Sequence, residues 1–161
     1  MRVHHVNKAR KSKKPRTCRC GHTVEPGESY KWAEPRYGGM KYWCKDHYPK
    51  RSELTSSKLG QVYDAQDDFD VSEAKSVEEI SEALQGVADT AREVGEEYQE
   101  GIDNMPEGLQ EGHVAEEMRE KIDALEEFAS TLESWSEDDE DDDALENARE
   151  SASQAVQELM L

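Results

Sequence analysis

The charges of this chain are sorted into two blocks, and that sorting argues against a single shared core. Residues 1–58 carry fifteen Lys or Arg against five Asp or Glu, a formal +10, whereas residues 59–161 carry five against thirty-three, a formal −28. Like charges at that density repel, so each block has to fold around its own apolar residues and show solvent its own sign. Hydrophobic residues are 34 % of the 161 positions and charged residues 36 %, enough for small cores and too little for one large one. A basic end suits polyanions; the acidic end suits some other surface. No apolar run approaches the roughly 20 residues of a membrane span, and none follows the basic start MRVHHVNKARKSKK as a secretory signal would require. Three cysteines, an odd number and all close to histidines, are awkward for disulfides. An intracellular, unsecreted protein is expected.

Four stretches follow from composition. Residues 1–17 read as a disordered basic arm, because KARKSKKPR (8–16) packs positive charge too densely to fold alone. Residues 18–53 read as a compact module holding six of the eleven aromatic residues. Pro26 and Gly27 mark a turn, and ESYKWA and MKYWC read as two strands joined across EPRYGG. Period two puts Tyr30 and Trp32 on one face and Lys31 on the other. Residues 54–70 read as a short connecting helix capped by Ser56 or Ser57, and residues 71–161 as an acidic helical or coiled-coil region. There, Ser76 and Glu79 have capping-box spacing. Val77, Ile80, Leu84, Val87, Ala91, Val94 and Tyr98 then alternate steps of three and four, the a/d seam of a heptad pattern, with Gly101 and Met105 at its next places. Asn104 and Pro106 interrupt it. A second helix is expected from about 114 to 135 along Met118, Ile122, Leu125, Ala129 and Leu132. After the acidic run 136–143, a last helix carries Ala148, Ala152 and Val156 on a stripe too thin to stand without a partner.

The chemistry-bearing pattern is Cys18-x-Cys20-x-His22 followed by Cys44-x-x-His47. Zinc takes four tetrahedral ligands from thiolate and imidazole, ordinarily as two short-spaced pairs. Cys18, Cys20, Cys44 and His47 are the expected ligands of a structural Zn2+, with His22 in reserve; the glycine after Cys20 helps the tight first pair turn back. Some thirty residues bury too little apolar surface to hold themselves, and a metal would supply the difference. A complete set of four leaves no open position for a catalytic water. No P-loop, G-x-S-x-G or H-E-x-x-H is present, so no enzymatic activity is expected.

At these residues the chain resembles a group of small zinc-ribbon-like proteins, without settled activity, encoded by tailed viruses (phages) of bacteria and archaea. The likeness rests on KARK (8–11), YKWAEPRYGG (30–39) and PKRSELTSS (49–57), and more loosely on NMPEGLQEG (104–112). It implies a viral protein acting in a host cytoplasm and a zinc-ribbon-like head, and it implies no activity. The C-x-C spacing and the terminal histidine are departures from the paired cysteines that some members carry.

The expected fold is therefore α+β: a small zinc-ribbon-like β-hairpin head, followed by long acidic helices forming an antiparallel helical hairpin or a coiled coil. The expected function is that of a non-enzymatic viral accessory protein whose zinc-dependent head binds nucleic acid. Lys8, Arg10, Lys11, Lys13, Lys14, Arg16, Lys31, Arg36 and Lys41 are placed against phosphates, and Tyr37 beside the Gly-Gly turn against a base. Tyr30, Trp32 and Trp43 suit the hairpin core better. Two other roles fit the acidic region: a protein-interaction or assembly factor acting through the coiled coil, including self-association, or an acidic mimic of nucleic acid that inhibits a host DNA-binding protein. Neither a membrane nor a small-molecule substrate is expected as a partner.

Overall fold

The computed structural model describes residues 2–9, 14–34, 39–55, 57–136 and 144–159. It is an α+β protein of two compact units, divided after Gly60.

Among the described residues, the first unit contains five short strands, β1 (His4–Val6), β2 (Arg16–Thr17), β3 (Thr23–Val24), β4 (Tyr30–Ala33) and β5 (Lys41–Cys44), and the one-turn helix α1 (Arg51–Leu54). β1, β4 and β5 form an antiparallel sheet in that order, and β2 pairs with β3 as a separate ribbon. The expected hairpin is β4–β5, registered Tyr30↔Cys44 to Ala33↔Lys41. Gly39 leads into β5 at φ 76°, in the left-handed region that glycine occupies without steric cost. Glu25 to Glu28 form the Pro-Gly turn, with Gly27 at φ 107° and the Glu28 N–H donating to the Glu25 carbonyl at 3.1 Å.

The basic arm differs from expectation. His4–Val6 adds a third strand to the hairpin, pairing with Trp32, Lys31 and Tyr30. Ala9 is buried, its N–H donating to the Glu28 carbonyl at 2.7 Å, and Arg16–Thr17 pairs with Thr23–Val24. The reason is that β4 has a free edge whose backbone groups need partners, and the uncharged segment HHV supplies them ahead of the lysine run. The core of this unit is Ala9, Cys18, Val24, Tyr30, Ala33, Trp43 and Cys44, with Val6, Trp32, Tyr42 and Leu54 packed against it.

The second unit is helical: α2 (Gly60–Asp68), α3 (Val77–Asp103), α4 (Glu107–Gln110), α5 (His113–Glu133) and α6 (Ala144–Gln157). Ser76 caps α3, its hydroxyl accepting from the Glu79 N–H, while the Glu79 carboxylate reaches back to the Lys75 N–H at 2.7 Å. The seam is buried at Ile80, Leu84, Val87, Ala91, Val94 and Tyr98, and passes to Ile102 where Gly101 offers no side chain. α3 ends at Asn104, where the seam was expected to break, and the connection to α5 contains α4. α5 returns antiparallel: Arg92 pairs with Glu133 and with Glu126 at 3.5 Å, and Gln85 donates to Glu133 at 3.2 Å. Of the two architectures left open, the chain thus adopts the helical hairpin. The thin stripe of α6 finds its partners within the chain, burying Ala148, Ala152 and Val156 against α3 and α5. Each fully buried Leu or Ile in this unit contributes about 1.5–3 kcal/mol. No helix among the described residues is long and apolar enough to cross a membrane. The acidic run 137–143 and the Ser56 cap fall outside the described residues.

Candidate metal centre

Two backbone devices bring the sulfur and nitrogen donors together. The first is the turn between β2 and β3. The Cys18 N–H donates to the His22 carbonyl at 2.7 Å, and the Gly21 N–H donates to the Cys18 carbonyl at 2.9 Å. Gly21 adopts φ 87°, so the turn closes tightly enough for a C-x-C pair to present both thiols from one loop.

The second device is Lys31. Its side chain points inward, and its residue is 4 % exposed. The ammonium donates to the carbonyls of Lys45 at 2.5 Å, His47 at 3.0 Å and Cys44 at 3.5 Å. The Tyr48 ring lies 3.9 Å away on a further side. A cation gathering the carbonyls of Cys44, Lys45 and His47 folds the segment after β5 back on itself and delivers His47 to the β2–β3 turn. Lys41 does the same for α1, donating to the carbonyls of Glu53 at 2.7 Å and Thr55 at 2.9 Å. Both lysines were expected on phosphates. Their ammonium groups instead satisfy buried backbone, because the sheet face that they share is covered by the segment 45–55 rather than by water.

At the junction the donor atoms of Cys18, Cys20 and His47 all lie within 4.8 Å of one another. The Cys18 Sγ is 3.3 Å from His47 Nδ1, and the Cys20 Sγ is 3.7 Å from the Cys44 Sγ. Ligands around a tetrahedral zinc are separated by about 3.8 Å for two thiolates and about 3.5 Å for a thiolate and an imidazole. Cys44 stands just beside the tight triple, with its backbone N–H directed at the Cys18 sulfur. These four residues could hold a metal ion. His22 is elsewhere: its Nε2 lies 3.4 Å from the Glu28 carboxylate on the exposed side of the turn.

His47 is set up for the role by a residue that spacing did not indicate. Glu53, 4 % exposed, takes His47 Nε2 at 2.9 Å and the Lys50 N–H at 3.0 Å, and Arg19 Nε lies 3.9 Å from its other oxygen. With the Nε2 proton committed to the carboxylate, Nδ1 carries the lone pair that faces Cys18. A carboxylate behind the imidazole is the usual outer shell of a metal-bound histidine. Its sequence signal is faint, a Glu six positions after the histidine in a four-residue helix.

The thiols are unequal. Burial pushes the Cys18 thiol up, but the N–H groups of Cys44 and Cys20, with the thiols of Cys20 and Cys44, outweigh it and bring the value to about 7. At Cys20 the His22 N–H lowers the value, while hydrogen bonds with the Cys18 and Cys44 side chains, desolvation and the charge of Cys18 leave it raised. Cys18 thus gives up its proton more readily than Cys20, and a metal would displace the protons that remain.

Of the residues expected on nucleic acid, Lys8, Lys14 and Arg16 are exposed. The Arg16 guanidinium lies 3.8 Å over the Tyr42 ring. Arg10, Lys11, Lys13, Arg36 and Tyr37 lie outside the described residues. Trp43 is 2 % and Tyr30 8 % exposed, in the core as expected, whereas Trp32, expected with them, is half-buried against it. Comparison with protein-family models, curated proteins and solved structures finds no match.

Proposed function

We propose that the head is a structural zinc module that binds nucleic acid, and that the acidic helical unit is its protein-facing partner region. The observation that carries the metal reading is the cluster of Cys18, Cys20 and His47 donors within 4.8 Å of one another, with the Cys44 sulfur 3.7 Å from that of Cys20 and the second nitrogen of the imidazole held by buried Glu53. Thiolate and imidazole together select zinc over hard cations such as magnesium or calcium. Four protein ligands close the coordination shell, which suits a scaffold and leaves no position for a substrate.

The nucleic-acid reading is supported by the formal +10 of residues 1–58 and by the exposure of Lys8, Lys14 and Arg16. Each neutralised phosphate releases a counterion, so affinity should fall steeply with salt. In the helical unit the apolar seam of α3 is occupied by α5 and α6, which weighs against self-pairing through it and leaves the acidic outer faces for contact with other proteins.

Native mass spectrometry of protein purified without added metal tests the first part. One zinc per chain, absent from Cys44→Ser, is the expected result; a metal-free chain with ordered head resonances would overturn it. Oligonucleotide titration of the zinc-loaded chain tests the second, and absence of binding even at low salt would remove it.

A further inference from the structure

Three side chains from three strands form a row on one face of the head. His4 on β1 sits opposite Trp32 on β4, which sits opposite Tyr42 on β5. Directly opposed residues of an antiparallel sheet share a face, and the row spans about 10 Å. Its rings lean on the core without being buried in it. His4 is exposed, and Trp32 and Tyr42 are half-buried, unlike Tyr30 and Trp43. The His4 ring stacks on Trp32 with centroids 4.3 Å apart and planes inclined by 14°. At the other end the planar Arg16 guanidinium lies over Tyr42. An apolar hollow beside Tyr42 counts Lys14, Arg16 and Glu25 among its lining residues.

We propose that His4, Trp32 and Tyr42, extended by the Arg16 guanidinium, are a stacking platform for the unpaired bases of single-stranded nucleic acid. This rests on the reading of the head as a nucleic-acid binder and names the surface and the form of nucleic acid. The chemistry favours that occupant for two reasons. Half-exposed rings on a sheet and the flat face of an arginine are the groups on which splayed bases stack, and paired bases inside a duplex cannot reach them. The exposed ammonium groups of Lys8 and Lys14 supply the counter-charge that a strand crossing the row requires. Glu25, which lines the hollow, would repel a phosphate but accept from a base amino group, so the base side of the strand belongs against Tyr42 and the backbone against the lysines.

The test uses the full zinc-loaded chain and a fluorescent oligothymidylate, free or annealed to its complement, followed by anisotropy from about 50 to about 200 mM salt. Three variants separate stacking from charge. Arg16→Lys keeps the charge and loses the plane, His4→Ala removes the outermost ring, and Lys14→Gln removes a charge only. Zinc content confirms that each variant has folded. The expected result is tighter binding of the single strand than of the duplex, with about tenfold loss in Arg16→Lys and in His4→Ala at an unchanged salt slope. Lys14→Gln should instead flatten the slope by about 0.7. Wild-type affinity in Arg16→Lys and His4→Ala alongside weakening in Lys14→Gln would overturn the platform and leave a phosphate-binding head. Equal affinity for single strand and duplex would also overturn it. Failure to bind either form would remove the platform and the nucleic-acid reading together.

Discussion

The two units solve the problem of a small core in opposite ways. The helical unit buries a continuous apolar stripe, with Ile80, Leu84, Val94, Leu125 and Leu132 essentially inaccessible, and places its charges outside. The head has no such stripe. Its interior includes two thiols and the ammonium-bearing side chain of Lys31, and several of its turns are held by side chain to backbone contacts rather than by packed hydrocarbon. Burial alone can stabilise the first arrangement. The second holds only if its polar groups are all matched, and a metal is the strongest match available to a cluster of thiols. The difference teaches that hydrophobic content averaged over a chain says little about either part of it.

Removing the metal should separate the two units most sharply. Structural zinc supplies about 10–16 kcal/mol of apparent binding energy in small modules. A strong chelator should therefore collapse the amide dispersion of residues 2–55 in NMR spectra while helical ellipticity at 222 nm persists. Retention of both signals would erase the distinction drawn here. The reverse experiment is Leu125→Ala, which leaves a cavity between α5 and α3 and should cost about 2–5 kcal/mol in helical unfolding with zinc stoichiometry intact.

Within the head, Lys31→Met keeps the apolar stem and strands the carbonyls of Cys44, Lys45 and His47. A loss of about 2–3 kcal/mol, seen as a lower melting temperature of the head alone, is expected. Glu53→Gln keeps the shape behind His47 and removes the charge. Competition against a zinc indicator should show affinity about 10- to 100-fold weaker, with helical stability unmoved. The smallest effect belongs to the helices: Ser76→Ala removes the α3 cap and should lower helical stability by about 1 kcal/mol. A shift in zinc affinity with that last change would show that the two units are coupled.

Periodic features were readable in the sequence. The α3 seam, its Ser76 cap, the β4–β5 hairpin, the Pro26-Gly27 turn and the C-x-C pair closed by Gly21 all depend on residues close in the chain, where spacing carries the geometry. What escaped was set by distant partners. His4–Val6 is a strand only because β4 has an edge to offer. Alternation correctly put Lys31 on the face opposite Trp32, but whether that face meets water depends on the segment 45–55. Lysine is ordinarily exposed, so nothing local announces an ammonium turned inward. Glu53 likewise becomes legible only once His47 is known to stand beside it. Gly101 and Met105 were extrapolated from a heptad count, whereas the helix continues its burial through Ile102 because a straight helix drifts from the seven-residue repeat.

The hydrogen bond from Gln66 Nε2 to the Val156 carbonyl joins positions ninety residues apart. During synthesis from the N-terminus, the helical unit therefore cannot finish until nearly all of its sequence has left the ribosome, and α3 emerges with its apolar seam uncovered before α5 exists to cover it. The head is in the opposite position, since its last candidate ligand is His47 and the carboxylate behind it is Glu53. Its strands and its candidate metal ligands all lie within the first third of the chain. A nascent chain of this protein would thus display a finished basic module while its acidic half is still vulnerable to aggregation, and stalled or prematurely terminated synthesis would release a fragment carrying the opposite net charge to the whole.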